Sequence, residues 1–141
     1  MGEVSFFYQT EVSFLRDRTK LKNFLLKTAQ VNRHPIDSLN VIFCDDDYLL
    51  SINKQFLRHD FFTDIITFDL SPTPKRLEAE LYISIDRVKD NAKSLSIPFY
   101  HELHRVIFHG LLHLLGYKDK LKEDQLTMRS MEEKLLKRYF Q

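Results

Sequence analysis

One cysteine, three glycines and four prolines are all that 141 residues contain of these types. A lone Cys44 excludes a disulfide within the chain and fits a reducing compartment, where a thiol of this kind serves as a small core residue. So few glycines and prolines, with no low-complexity tract and no internal repeat, leave no flexible linker, and short polar turns must join the elements. No apolar run approaches the roughly 20 residues of a membrane-spanning helix. The opening MGEVSFFYQTEVSF has an early glutamate and no basic stretch ahead of an apolar run, so no secretory leader is expected. Phe6 stands where a myristoylation start takes Ser or Thr. An excess of either charge is lacking as well. A formal net charge of +1 gives no global nucleic-acid signature, so any phosphate affinity must come from local patches. The expected location is cytoplasmic, with no membrane partner.

What is present is an ordinary globule, 43% hydrophobic and 29% charged, of a length that suits a single domain over residues 1–141. Aromatic and β-branched residues 4–8 predict a strand. Residues 18–32 carry Leu21, Phe24, Leu25 and Ala29 at helical spacing. The flanks of that helix are basic, with Arg16, Arg18, Lys20 and Lys22 against Asp17. A strand over 38–44 is followed by Asp45-Asp46-Asp47, which reads as the cap and first turn of a helix reaching about Phe56. Strands over 64–70 and 80–85 flank a turn at Ser71-Pro72-Thr73-Pro74. Asp86 then caps a short helix to Leu95, and Pro98 opens a long one that stops at Gly116. A last amphipathic helix over 123–139 carries Leu126, Met131, Leu135 and Leu136. The order β-α-β-α-β-β-α-α-α predicts an α+β fold, a small mixed four-stranded sheet with helices mainly on one face.

The chemistry concentrates in His109-Gly-Leu-Leu-His113-Leu-Leu-Gly116-Tyr-Lys-Asp119. Histidines at i and i+4 put both imidazoles on one helix face, at the spacing a single zinc ion needs. Gly116 offers a stop and a change of direction, which can bring Asp119 back as an oxygen ligand. The metal site thus lies on a long helix and the turn after it. A zinc peptidase keeps a glutamate beside its first histidine; here Gly110 occupies that place. Glycine inside a helix costs about 1 kcal/mol against alanine, so it is expected to serve close packing or to keep space clear beside a ligand. His34, His59, His101 and His104 are expected to be structural or surface groups.

The motif resembles that of the YbeY-type metal-dependent endoribonucleases, H-G-x-L-H-L-x-G-Y-D-H. The resemblance extends to Asn53, Arg58, the Thr63-Asp64-Ile65-Ile66-Thr67-Phe68 block and Ala79-Glu80-Leu81-Tyr82-Ile83-Ser84, from about Leu39 to Asp119. It implies hydrolysis of phosphodiester bonds in single-stranded RNA by a metal-bound water, in ribosomal RNA maturation and ribosome quality control. The small ribosomal subunit and assembly factors are the implied partners. One departure stands out: the family's third histidine is Asp119 here, and the aspartate before it is Lys118. A carboxylate ligand makes a bound water less acidic and shifts preference from zinc, one ion per chain, towards harder divalent ions. Arg58 is the candidate cation for the phosphate in the transition state, and Asp64 and Glu80 are candidate bases. Lys118, Lys120, Arg16 and Arg18 are candidate RNA contacts. Two alternatives belong to other classes: a metal hydrolase of another substrate such as a peptide, and a non-catalytic ribosome assembly factor.

Overall fold

The computed structural model describes residues 2–10 and 15–141, so part of the opening segment lies outside the described residues. The elements follow the expected order: β1 (Glu3–Tyr8), α1 (Arg18–Val31), β2 (Ile36–Cys44), α2 (Asp46–Leu57), β3 (Ile65–Asp69), β4 (Leu77–Ser84), α3 (Ile85–Leu95), α4 (Phe99–Leu114) and α5 (Lys122–Tyr139). The sheet runs β1-β2-β4-β3. β1, β2 and β4 are parallel, and β3 is an antiparallel edge strand on β4. Element boundaries shift by a residue or two in places, and two differences have a clear physical cause. β4 begins at Leu77, because the alternation Leu77-Glu78-Ala79-Glu80 pairs with β2 despite its charge. The cap of α3 is Ser84, whose Oγ accepts from the Arg87 N–H at 3.2 Å; Asp86 is in the first turn and accepts from the backbone of Asp46.

One face of the sheet carries the main core. Leu39, Val41 and Phe43 of β2 and Ala79, Leu81 and Ile83 of β4 pack against α1 and α4, and α5 packs on α4. The other face holds a smaller cluster, where α2 brings Leu49 and Ile52 onto Cys44 and Ile66. The acidic triplet is structural: Asp45 accepts from the Tyr48 N–H at 2.8 Å, and Asp46 bonds Ser84 and Arg87. Burial pushes the Cys44 thiol up to about 12, with help from nearby aspartates. The native protein should therefore resist thiol reagents at neutral pH and react only on unfolding. Rapid labelling of the folded chain would contradict that burial.

α4 is the central helix, with ten buried residues. Gly110 is where it crosses the sheet most closely. A Cβ there would come within 2.7 Å of Ile65 Cδ1 and 3.0 Å of both Leu81 Cδ atoms. Of the two roles expected for this glycine, the contact is close packing. It brings the His109 end of α4 against β3.

Candidate metal centre

The turn after α4 is built by Gly116. Its φ of 104° is the left-handed region that favours glycine, and a Cβ there would meet nothing within 4 Å. The Tyr117 N–H donates to Leu112 O and the Gly116 N–H to His113 O, both at 3.0 Å, which is the Schellman ending of a helix. Glycine is needed here for conformation and not for space. The reversal brings Asp119 back onto the helix it has just left.

Asp119 Oδ2 lies 3.0 Å from His113 Nε2 and 3.3 Å from His109 Nε2. Tetrahedral zinc with bonds of about 2.0–2.1 Å separates its ligand atoms by about 3.3 Å. The three donors, all partly exposed and within 4.8 Å of one another, therefore match a divalent metal in both spacing and chemistry. They open into a cavity of about 570 Å³, lined also by Leu57, Thr63, Asp64 and Lys120.

Behind His109 stands a network that the sequence reading missed. His109 Nδ1 is 2.6 Å from Glu132 Oε2 on α5. Burial acts to raise the Glu132 carboxyl, but the His109 hydrogen bond and the Arg105 charge outweigh it and hold the group below its ordinary value. An ionised carboxylate can only accept, so Nδ1 carries a proton, and it is the Nε2 of the neutral ring that would offer its lone pair to a metal. Arg105 joins Glu132 at 3.1 Å and makes a two-pronged pair with Glu102, both contacts 2.7 Å. Its guanidinium also lies 3.7 Å from Asp64 Oδ2. Asn91 Nδ2 approaches that same oxygen at 3.4 Å. Burial raises the Asp64 carboxyl above its ordinary value, with the Arg105 charge opposing.

A sequence signal for this network does exist. Glu132 falls in the buried stripe of α5 with Met128, Leu135, Leu136 and Tyr139, and Glu102 falls in that of α4. Carboxylates inside apolar stripes imply buried partners. The stripe expected through Leu126 is a correction of the same kind, since Leu126 is exposed.

The remaining candidates divide. Lys120 lines the cavity, and Lys118 is beside it, near His113 and Asp119. Arg58 closes α2 with a φ of 56°, in the connector whose ends, Leu57 and Thr63, line the cavity. Among the described residues its guanidinium has no ion pair. Glu80 points away from the metal centre: it alternates with buried Ala79 and Leu81, and accepts from the Tyr82 hydroxyl at 3.1 Å on the opposite face. Arg16 and Arg18 are also remote. They stand over the rings of Tyr100 and Tyr8 beside α1, which packs at the β1 edge, whereas the cavity is at the β3 edge. His104 is buried with Nδ1 on Tyr100 O, and burial lowers its pKa, as suits a structural histidine.

Comparison with known proteins decides the lineage. The family model of Endoribonuclease YbeY matches residues 8–140. The chain belongs to the YbeY endoribonuclease family. Among YbeY proteins, that of Cytophaga hutchinsonii is 46% identical over 132 residues, covering 93% of this chain and 92% of the relative. That of Porphyromonas gingivalis is 43% identical over 131 residues, covering 92% and 86%. A solution structure of a Thermotoga maritima protein shares the fold, with a TM-score of 0.63, 24% identity and coverage of 98% and 89%.

Proposed function

We propose that this chain is a divalent-metal-dependent endoribonuclease that cuts single-stranded RNA during ribosomal RNA maturation. The observation that carries the reading is the convergence of His109 Nε2, His113 Nε2 and Asp119 Oδ2 at metal-ligand spacing, in a chain of the YbeY family. His109, His113 and Asp119 would hold the ion with three protein donors, the number that catalytic zinc sites use. The chemistry supplied there when an ion is bound is Lewis acidity at a phosphate oxygen and acidification of a water.

The chain's own residues do the rest. Glu132 is a positioning residue, holding the ring of His109 and fixing its tautomer. Asp64 lines the same cavity, and its raised carboxyl accepts the proton of the attacking water. Arg58 and Lys120 hold phosphate oxygens, Arg58 with the two-pronged geometry suited to the charge of the transition state. Zinc, one ion per chain, fits the donor spacing, and the carboxylate of Asp119 broadens acceptance towards manganese and magnesium. The small ribosomal subunit and its assembly factors in the cytoplasm are the proposed setting. No helix among the described residues is long and apolar enough to cross a membrane.

The other two readings lack support. Position 110 carries no carboxylate for a peptidase mechanism and is filled by contact with Ile65 and Leu81. A non-catalytic factor has no need of three donors backed by a buried carboxylate.

The test is a metal titration of the wild type, Asp119→Ala and Asp119→His. Loss of one of three ligands should weaken zinc binding by at least the roughly 10- to 100-fold typical of a disturbed outer partner, and histidine should restore it. Unchanged affinity in Asp119→Ala would remove Asp119 from the site.

A further inference from the structure

The connector from α2 to β3, whose ends line the metal cavity, displays aromatic rings to solvent. Phe61 is 54% exposed and Phe62 is 50% exposed, whereas Phe56 on the last turns of α2 packs on Phe68, on the sheet face away from the cavity. Isolated exposed apolar residues are ordinary, but a cluster beside a functional cavity marks a contact surface. Leu57 ahead of these rings and Thr63-Asp64 behind them line the cavity itself. Asp64 follows Phe61 by three positions, a reach of about 11 Å at most.

The rings stand on a backbone that is held. Asn53, buried in α2, donates from Nδ2 to Phe61 O at 2.9 Å, and its own carbonyl accepts from the His59 N–H at 3.1 Å. The His59 ring lies face to face with Phe61 at 5.1 Å and 22°. The Arg87 guanidinium is 5.4 Å above the Phe62 ring, and Arg58 is in the same segment. Flat rings, the Arg58 cation and a fixed backbone together make a surface that suits a polyanion carrying planar groups.

We infer that Phe61 and Phe62 form a stacking platform for unpaired bases next to the phosphate that is cut, and that this platform selects single-stranded over duplex RNA. The inference rests on the endoribonuclease reading. Every base presents a π-face once it leaves a helix, whereas duplex RNA hides those faces within its own stack. The platform is therefore tolerant of sequence and selective for strandedness. Arg58, which has no ion pair among the described residues, contributes charge to the RNA backbone and no base readout, whereas Arg87 is committed to Asp46 and Asp90.

The experiment uses the full chain stripped of metal, so that RNA binds without being cut. A single-stranded decamer carrying 2-aminopurine reports stacking through quenching of its fluorescence. The wild type should quench it and bind it well above the matching duplex. Removal of each ring should weaken binding roughly tenfold, so the Phe61→Ala/Phe62→Ala double variant should bind poorly and no longer quench. A Phe61→Leu/Phe62→Leu variant, which keeps apolarity without a ring, should behave like the alanine pair. Zinc affinity should be unchanged in both. Wild-type binding and quenching by either pair would overturn the inference, and so would a parallel loss of zinc affinity. A wild-type dimer lost in the variants with RNA binding intact would assign the rings to a second copy and likewise overturn it. A wild type that cuts RNA without quenching defeats the platform alone, whereas one that neither binds nor cuts RNA defeats the nuclease reading itself.

Discussion

Arg105→Met should destabilise the protein by about 3–5 kcal/mol, the cost of breaking a buried ion network by removing one partner. Methionine keeps most of the stem volume, so little of the loss comes from packing. Arg105 answers three carboxylates: Glu102 at 2.7 Å, Glu132 at 3.1 Å and Asp64 at 3.7 Å. The Glu102 and Glu132 side chains are 0% and 3% exposed, so water cannot replace the lost guanidinium. For a domain of this size the melting temperature should fall by at least about 6 °C. The pH dependence has a definite sign. The folded Glu132 carboxyl titrates below its ordinary 4.5, so its contribution is present above that value and lost as pH falls through the folded value. The gap between wild type and Arg105→Met should therefore narrow in acid, as the stranded carboxylates take up protons. Thermal melts from neutral pH to pH 4 measure this. A variant as stable as the wild type at pH 7 would mean that the network carries little of the fold.

Asp64→Asn should leave folding and zinc affinity close to wild type and reduce RNA cleavage by about 10²- to 10⁴-fold, the range for loss of a positioned general base. The substitution keeps shape and removes the acceptor of the proton. Burial raises the Asp64 carboxyl above its ordinary 3.8, so wild-type cleavage should fall as pH drops through that raised value. The acid limb should vanish from the residual activity of the variant. An asparagine variant that cuts RNA at the wild-type rate would remove Asp64 from the chemistry.

Much of the site could be read from local patterns. The i and i+4 histidines, the glycine stop and the returning aspartate are features of one helix and one turn, and no distant residue is needed to foresee them. The order of elements was equally legible, since strands and helices announce themselves by period. What stayed hidden depends on which faces meet. Glu80 reads as a plausible base until the pleat turns it to the face away from His109. Arg16 and Arg18 read as RNA contacts until the sheet order sets α1 at the β1 edge, far from β3. Glu132 is 23 residues from His109 and belongs to another helix, so only packing of α5 on α4 reveals their contact. Asn53 was visible as a matching residue, but its work, pinning the connector that displays Phe61, is a tertiary hydrogen bond.

If His109, His113 and Asp119 hold the ion on which RNA cleavage depends, removing that ion must stop the cutting. The most direct test is the cutting of an unstructured RNA by metal-stripped protein to which zinc or manganese is added back. Stripped wild type should be inactive and regain activity with metal, and folded His113→Ala should stay inactive at any metal concentration the wild type needs. Cleavage by stripped protein, or full activity in His113→Ala, would contradict this dependence.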